Sequence, residues 1–498
     1  CTHRPSSHGS RGLVNGNGSS RSNNLSIVLD AGTGGTVRID GLTYGTINYD
    51  KTITGTGNLH IVNDQGNNTF RQRGGWITNS YVGDTSFYSE NDKVSLVEYN
   101  VNNVVLTEGQ TLTPWGTGNV YIGGTDSTYN AKNCAVNFSG LPAAQTTFGF
   151  VINNDIFLKA SASATTLQIF SGASSSMTLS GLVTADFGGE GGSLTLKGSR
   201  ELIFAGGLAG NGPLAISLNA SATGTRVMAF TGDSSEYTGQ LTLTDVQKVR
   251  FASQVGSRTF GGSINAGNAD FVVAESLQVI DGSLSTGTGN LSISSSSLMS
   301  GSNGAALTIN GSLSVGEGFT VTLDNSGEGA VIPSSDGKYI LLSGQLNGTT
   351  YDALAASASW ATALDESIRK YYTFSSINDT LYLSVRGLTS LSWTGDASGN
   401  GTWSTNVAGW MDGSEQFANS KEAYFADIAG VASSEITIGT GAGDSVSPGK
   451  IIMDAESTDY TWTGEGTIAG TGMLDKSGTG KLTIDQKAAN TFSGGVTL

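Results

Sequence analysis

The sequence of 498 residues contains only 2 cysteines, 6 prolines and 13% charged residues. Cys1 and Cys134 provide neither a disulfide framework nor the paired spacing of a zinc site, and we expect Cys134 to be a small buried side chain. Acidic residues outnumber basic ones 41 to 25, which gives a net charge of −16, and the Lys and Arg residues form no run. Because phosphate contacts dominate the affinity of proteins for nucleic acids, these features exclude nucleic acid and anionic membrane surfaces as partners.

Long apolar runs and targeting signals are absent as well. No stretch approaches the roughly 20 consecutive apolar residues that a membrane-spanning helix needs. The chain begins with Cys1 rather than Met, shows no signal peptide and stops within a repeat, so we interpret it as a fragment. Residues 1–24 show no periodicity and little apolar content, and we predict a disordered tail there.

Glycine, serine, threonine and asparagine take the place of the missing charges, and glycine alone occurs 72 times. From residue 25 to about residue 335, short stretches of alternating apolar and polar residues are separated by corners rich in Gly, Asn, Asp and Ser. This alternation predicts short strands with one buried face and one solvated face. The composition is typical of a thin, elongated β protein with many exposed strands.

A loose motif, Gly-x-Gly-x-Leu-x-Ile, recurs without a fixed period at residues 55–61, 210–216, 287–293 and 478–484, with Pro or Asn before the Leu in three copies. The last copy opens the segment 478–498. There a strand with Leu482 and Ile484 on one face is followed by a polar corner and a second strand. A unit with so little apolar surface cannot fold alone, so we expect it to stack on neighbours like itself.

Residues 478–484 (GTGKLTI) and 490–498 (NTFSGGVTL) resemble the autotransporter-associated β-strand repeat, also called the passenger-associated transport repeat, of large secreted bacterial surface proteins. Residues 391–427 resemble the segment that introduces such repeats, and its tryptophans are Trp393, Trp403 and Trp410. The resemblance covers about the last fifth of the chain. It implies a β-helical passenger domain that is carried to the outside of a Gram-negative cell, and it implies no particular activity.

Two architectures fit the alternating strands. An antiparallel sandwich or barrel is favoured locally by residues 307–315, which have the pattern of a two-residue hairpin around Asn310 and Gly311. A parallel β-helix is favoured by strand signals that persist from residue 25 to about residue 335 without a compositional boundary. We predict a mostly β chain that forms a right-handed parallel β-helix (β-solenoid). One short helical insertion is expected at residues 351–372, where apolar residues recur at helical spacing without glycine.

No catalytic constellation can be identified from the sequence. His60 is the one histidine outside the predicted tail, and its alternation with Leu59 and Ile61 puts its side chain on the solvent face. A β-helical enzyme acting on polysaccharides would need two or three carboxylates on adjacent coils. The candidates include Asp126, Asp155, Asp186, Glu190, Asp233 and Glu236. A solvated corner position is the commoner role for each of them.

We predict no metal, no cofactor and no catalytic residue. The acidic corner at residues 324–328 is a candidate for calcium, but the Gly-Gly-x-Gly-x-Asp repeat of calcium-binding β-rolls is absent. The Gly-x-Gly copies lack the strand-then-helix context of a phosphate or dinucleotide site. Trp76 and Trp115 could stack on sugars if their rings are exposed. We expect Trp393, Trp403 and Trp410 to be buried and structural.

The sequence therefore divides into a tail (residues 1–24), a β-helical passenger region (residues 25–387) and a Trp-rich segment with C-terminal β-strand repeats (residues 388–498). It predicts a structural and adhesive passenger domain of a bacterial autotransporter-like protein, secreted or exposed at the cell surface, whose C-terminal repeats aid export and folding. Its partners would be host or extracellular glycans or surface proteins. The alternatives are a β-helical polysaccharide lyase or glycoside hydrolase, and a glycan-binding adhesin. The resemblance is compatible with a parent chain that carries a signal peptide and a C-terminal outer-membrane barrel.

Overall fold

The predicted mostly β chain is confirmed: a computed structural model contains many short strands in parallel sheets. It describes residues 11–14, 21–23, 27–41, 45–63, 68–88, 94–101, 104–122, 133–139, 147–159, 164–169, 174–186, 192–197, 199–218, 224–252, 258–274, 278–299, 304–326, 331–334, 337–369, 371–385, 390–395, 401–411, 413–427 and 434–498. The chain forms two compact units. The first comprises Cys1–Val331, Ile340–Thr362 and Ser376–Leu381, and the second comprises Ile332–Tyr339, Ala363–Ser375 and Tyr382–Leu498.

The first unit contains three large sheets. Sheet 1 consists of Arg11–Val14, Thr36–Gly41, Asn58–Asn63, Thr85–Tyr88, Val120–Ile122, Ile156–Lys159, Val183–Asp186 and Leu208–Gly210. Sheet 2 includes Arg21–Asn23, Gly45–Tyr49, Asn68–Arg73, Val94–Asn100, Asn133–Ser139, Ala164–Ile169, Gly192–Lys197, Leu214–Ser217, Gln240–Thr244, Arg258–Phe260, Ser263–Asn265, Gln278–Ile280, Leu284–Thr286 and Leu307–Val315. Sheet 3 consists of Gln110–Leu112, Thr147–Ile152, Ser174–Leu179, Ser199–Phe204, Val227–Phe230, Lys248–Phe251, Asp270–Val273, Asn290–Ser294, Thr320–Asp324 and Ser359–Trp360.

Smaller elements complete the first unit. Ile27–Asp30 pairs with Ile53–Thr56, and 3-10 helices span Gly75–Thr78 and Ser295–Met299. The strands Gly337–Asn347, Tyr372–Ser376 and Thr380–Val385 include residues of both units. In the described part of the chain no helix has the length and apolar character needed to cross a bilayer.

Strands that pair in these sheets lie far apart in the sequence. For example, Arg258 is in register with Gln278, and Gln110 is in register with Phe150. Each successive stretch of chain, here called a layer, thus adds a parallel strand to a sheet. Parallel strands need such long connections because the chain must return to the same end of the sheet before it pairs again. This pairing does not agree with the antiparallel sandwich or barrel.

Apolar side chains of successive layers lie directly on one another inside the first unit. Phe204, Phe230 and Phe251 are consecutive in register, with ring centroids 5.5 and 5.8 Å apart and nearly parallel planes. Each of the three is at most 4% exposed. The alternation of strand residues therefore places one apolar set inward in every layer, as the sequence predicts.

A column of glycines marks one corner of the stack. Each member lies two residues before a buried Leu or Ile, and the backbone of each contacts that of the one before it. The members are Gly212, Gly239, Gly262, Gly282 and Gly311. A β-carbon on Gly262 would lie 2.2 Å from the carbonyl oxygen of Gly239, and the other contacts in the column are similarly short. Only glycine permits this approach of two backbones. The recurring sequence motif does not follow this column, because its copies precede strands of different sheets: Asn58–Asn63 in sheet 1, Leu214–Ser217 in sheet 2 and Asn290–Ser294 in sheet 3.

The hairpin pattern at residues 307–315, which locally favoured the antiparallel alternative, does not form a hairpin. Leu307–Val315 is one strand: its first half pairs in parallel with Gln278–Ile280 and its second half with Leu284–Thr286. Asn310 and Gly311 lie where the register shifts, at the corner of the glycine column. The two flanking segments are thus pulled into separate parallel pairings with the previous layer, and this outweighs the local turn preference.

The single helix expected at residues 351–372 is also wrong. The segment forms the helix Tyr351–Ser357, the short strand Ser359–Trp360 and the helix Glu366–Arg369. Thr350 caps the first helix through its Oγ, which accepts the N–H of Ala353 at 3.2 Å. The helix stops because Ser359 and Trp360 pair with Thr322 and Leu323 and extend sheet 3. Tertiary pairing here overrides helix propensity.

Part of the expected disordered tail is ordered. Within residues 1–24, Arg11–Val14 pairs with Thr36–Gly41 and Arg21–Asn23 pairs with Gly45–Tyr49. The other residues of this segment, Cys1 among them, lie outside the described residues. So does the side chain of Cys134, whose backbone belongs to Asn133–Ser139.

The second unit also consists of short strands that pair mostly in parallel, in smaller sheets. One sheet consists of Ser390–Ser392, Glu422–Ala426, Lys450–Asp454, Met473–Lys476 and Val496–Thr497, and another of Thr402–Trp403, Glu435–Ile438, Tyr460–Thr463 and Leu482–Ile484. Ser445–Val446 pairs in parallel with Thr467–Ile468, and Ala408–Trp410 pairs antiparallel with Glu415–Gln416. The predicted strands around Leu482 and Val496 are therefore confirmed. Leu482 packs against the core, whereas Ile484 is 50% exposed.

Candidate functional site

The outward surface of sheet 2 consists of columns of short polar side chains. One column, read from layer to layer in register, is Thr242, Asn265, Ser285, Ser314 and Asn347. In the column beside it, Ser263 Oγ accepts the N–H of Ser283 at 2.9 Å and Ser283 Oγ accepts the N–H of Ser312 at 3.1 Å. These two columns contain no ionisable side chain, so they offer hydrogen bonds but no acid, base or charged nucleophile; in another strand of sheet 2, Arg71 and Arg73 point outward.

The carboxylates considered for catalysis have separate structural partners. Asp155 Oδ1 accepts the N–H of Leu182 at 2.8 Å, and Asp233 Oδ1 accepts the N–H of Ser235 at 3.0 Å. Asp186 Oδ2 is 2.6 Å from Lys159 Nζ, and Glu236 is exposed. Asp126 and Glu190 lie outside the described residues. Among those that are described, His, Cys, Asp and Glu side chains form no group of three suited to a metal ion.

His60 lies on the outward face of sheet 1, as its alternation with two buried neighbours predicts. It stands in register between Arg38 and Ser86. Partial burial and, to a lesser extent, the positive charge of Arg38 lower the pKa of the imidazole, while Asp84 opposes this shift. His60 thus lies near both Ser86 and Asp84, the residue types of a catalytic triad, but Ser86 is only 1% exposed. Its hydroxyl cannot reach a substrate, so the grouping does not act as a triad.

The tryptophans considered for sugar binding are all buried. Trp76, Trp115, Trp403 and Trp410 are 0% exposed and Trp393 is 2% exposed. The structural role expected for the clustered three is confirmed. Trp393, Trp403 and Trp410 form edge-to-face contacts with centroids 5.2 and 5.4 Å apart, and Trp403 also contacts Phe417, Phe425 and Trp462. None of these indole faces is available to a sugar.

An open groove of about 380 Å³ lies beside the helix Tyr351–Ser357. Asp352 and Asp379 both line it, but Asp352 Oδ1 accepts a hydrogen bond from Ser376. The most exposed apolar side chain along the groove is Ile377, at 42%. Tyr351 also lines the groove but is only 7% exposed, so it offers little ring face to a sugar, and this groove does not favour the polysaccharide-active enzyme.

Acidic corners bind the backbone rather than a metal. Asp324 Oδ1 accepts hydrogen bonds from the N–H and the hydroxyl of Ser326, and these bonds lower the pKa of Asp324. In the second unit Asp427 accepts the N–H groups of Glu456, Ser457 and Thr458 at 3.0, 2.8 and 2.7 Å. Led by the bond from Ser457, these contacts lower the pKa of Asp427 to about 2.

The Asp427 corner makes the second unit sensitive to acid. Because the folded-state pKa lies below the unfolded value of roughly 3.9, the stabilisation is complete above that value and is lost as the pH falls towards 2. We expect Asp427→Asn to lower the unfolding midpoint at pH 7 and to flatten its decline between about pH 4 and pH 2. Equilibrium denaturant unfolding at several pH values measures this. Asp485→Asn, at an exposed acid of the same unit, serves as the control; identical pH profiles for Asp427→Asn and wild type would contradict the assignment.

Sequence reasoning missed the polar interior of the first unit. Gln72 and Asn79 are 0% and 2% exposed, and their side-chain amides bond each other reciprocally at 2.8 and 2.9 Å. Asn79 also accepts the N–H of Ile53 and donates to the carbonyl of Pro114. Gln72 lies in the strand Asn68–Arg73 on the same face as the buried Phe70, so alternation alone would place it inward. Asn79 directly follows the 3-10 helix Gly75–Thr78, where a two-residue period gives no information about burial.

No family model, no curated protein and no solved structure matches the chain.

Proposed function

We propose that this chain is a structural and adhesive passenger domain of a bacterial autotransporter-like protein, folded as a right-handed parallel β-helix. The finer fold is supported by parallel pairing, in three sheets, between strands that are distant in the sequence, such as those of Arg258 and Gln278 or of Gln110 and Phe150. A chain that circulates through the sheets in turn and adds one coil per layer produces such pairings. Its right-handedness is supported by the strong preference of parallel crossover connections for that hand.

The adhesive role is carried by the outward surface of sheet 2. The columns from Thr242 to Asn347 and from Ser263 to Ser312 present hydroxyl and amide groups without an ionisable side chain, and the tryptophans considered for sugar stacking lie inside. A long surface of this kind displays many weak hydrogen-bonding positions to an extracellular partner. The enzyme alternative lacks comparable support, because its candidate carboxylates hold backbone N–H groups and a lysine.

The export role rests on the C-terminal layers and on the resemblance of residues 478–498 to the passenger-associated transport repeat. Met473–Lys476 pairs in parallel with Lys450–Asp454 and with Val496–Thr497, and Leu482–Ile484 pairs in parallel with Tyr460–Thr463, so each layer is in contact with the next. A layer that folds first outside the membrane would serve as the template for the next, and the free energy of folding would then favour outward movement.

Deleting residues 474–498 is expected to reduce surface display severalfold when the chain is fused to a heterologous outer-membrane translocator. The reason is that the folded template at the C-terminal end is lost. Display is measured by flow cytometry and by cleavage with external protease. A deletion of equal length at residues 1–25 is the matched control and should leave display nearly unchanged. Equal display of both deletions and the intact chain would overturn the export role.

A further inference from the structure

We propose that the outer face of Phe157, on the outward surface of sheet 1, is a binding site for a neutral pyranose of a glycan. The inference rests on the adhesive role proposed above and adds to the polar columns of sheet 2 a second, separate binding surface. Phe157 is partly exposed and stacks on Tyr121 of the preceding layer, with ring centroids 5.0 Å apart and planes inclined by 15°. Tyr121 and Phe157 are neighbours in register, so the rings stand side by side along the column.

The side chain of Lys159 leaves the outer face of Phe157 free. Lys159 Nζ lies 5.8 Å from the ring centroid of Tyr121 and 5.7 Å from that of Phe157. A group almost equidistant from two stacked rings must lie beside the stack, because a position over either outer face would be much farther from the other ring. The ammonium therefore flanks the ring edges, and the Phe157 face that points towards the next layer is not covered by it.

Beyond that face the column continues with small side chains. Thr184 is opposite Phe157 in register, and Ala209 is opposite Thr184. Both side chains are much shorter than a phenyl ring, so the ring projects beyond them. The Phe157 ring is here called the wall, and the two short side chains are called the floor. The apolar C–H face of a sugar ring packs against an aromatic face of this kind.

Polar groups flank this wall on the side of Lys159. Lys159 Nζ and Asp186 Oδ2 are 2.6 Å apart, and Asp186 belongs to the same layer as Thr184. Asp186, in the layer of Thr184, supplies acceptors beside the outer face of Phe157, as the hydroxyl groups of a sugar require, while Lys159 Nζ lies at the level of the Tyr121–Phe157 stack. The charges of Lys159 and Asp186 cancel, which favours a neutral ligand over a sialic or uronic acid. An aromatic face with a few placed polar groups is the usual composition of a small-ligand site.

The test uses the full chain and a panel of neutral glycans with gluco, galacto, manno and N-acetylglucosamine configurations, first on an array and then by saturation-transfer NMR with the matching methyl pyranosides. Wild type is expected to bind at least one configuration. Phe157→Ala and Phe157→Leu should each weaken binding about three- to tenfold because the aromatic face is lost. The leucine variant retains apolar bulk, and its unfolding midpoint shows whether the fold persists. Asp186→Asn should weaken binding without removing the ring.

Ile203→Ala, at a partly exposed apolar position on sheet 3, is the matched control and should bind as wild type does. Binding by wild type that is unaffected in Phe157→Leu and Asp186→Asn would overturn this site while leaving an adhesive role intact. A panel that detects no binding to wild type would overturn the glycan class. Surface display of the intact chain and of its C-terminal deletion tests the passenger role separately, so failure of one proposal does not imply failure of the other.

Discussion

Replacing Trp403 by alanine is expected to destabilise the second unit by about 3–5 kcal/mol, the usual range for truncating a fully buried aromatic side chain. Trp403 is 0% exposed and lies at the centre of an aromatic cluster, with ring centroids 5.3 Å from Phe425, 5.4 Å from Trp410 and 5.8 Å from Trp462. Alanine would leave a cavity lined by rings that the short strands around them cannot collapse to fill. This loss approaches the whole stability of a typical domain.

Hydrogen–deuterium exchange measures the effect region by region. Amide protection should fall in Glu435–Ile438 and Tyr460–Thr463 and persist in Lys248–Phe251 of the first unit. Trp403→Phe should lose less stability than Trp403→Ala, because phenylalanine keeps part of the ring volume. Ile484→Ala, at a side chain that is 50% exposed, is the control and should change stability little. Unchanged protection in Trp403→Ala would show that this cluster does not hold the unit together.

Replacing Asn79 by alanine is expected to destabilise the first unit by roughly 3–5 kcal/mol, because several buried polar groups lose their partners together. The Ile53 N–H and the Pro114 carbonyl each lose a bond of 2.8 or 2.9 Å, and Gln72 loses both bonds to the Asn79 amide. Gln72 retains only the bond from Nε2 to the Lys51 carbonyl at 2.9 Å. Each unsatisfied buried group then carries a desolvation penalty of about 1–3 kcal/mol.

A double-mutant cycle that combines Asn79→Ala with Gln72→Ala measures the interaction free energy between the two amide side chains. The loss in the double variant should be smaller than the sum of the two single losses, since either single change already breaks the reciprocal bonds. Denaturant midpoints followed by far-ultraviolet circular dichroism give the values. Gln345→Ala, at an exposed amide, is the control. Strict additivity of Asn79→Ala and Gln72→Ala would mean that the amides act independently of each other.

Local sequence patterns gave the positions and orientation of many strands. The alternation around His60 predicts two buried neighbours and one outward imidazole, and Leu59 and Ile61 are indeed 1% exposed. The same two-residue period accounts for the strand Thr380–Val385, whose Leu381, Leu383 and Val385 are buried. These predictions succeed because burial of alternate side chains depends only on the two-residue period of a strand.

Local patterns failed where distant partners compete with a nearby turn or helix. Residues 307–315 contain an ideal hairpin turn, yet the segment pairs with two strands of the previous layer. Residues 351–372 have helical spacing, yet Ser359 and Trp360 extend sheet 3. In both cases the deciding contacts are distant in the sequence, at Leu284–Thr286 for the first segment and at Thr322 and Leu323 for the second.

The candidate sugar site could not be derived from the sequence for the same reason. Phe157 and Tyr121 each lie in an ordinary alternating strand, in successive layers, and neither belongs to a recognisable motif. Asp186 was considered only as a carboxylate, whereas the structure pairs it with Lys159 beside the aromatic wall. A search for outward aromatic residues in strands of matching phase would have found the two rings but not their contact.

The sequence by itself determined a mostly β chain of low charge, with one apolar face per strand and aromatic side chains gathered in the second unit. Only the tertiary structure decided which strands are neighbours, and so which outward side chains form the polar columns and the wall at Phe157. The physical reason is that a two-residue period fixes which way a side chain points but says nothing about its partner. Partners are separated by a whole layer of chain whose length varies with every loop, and the register is set by packing each new layer on the one before.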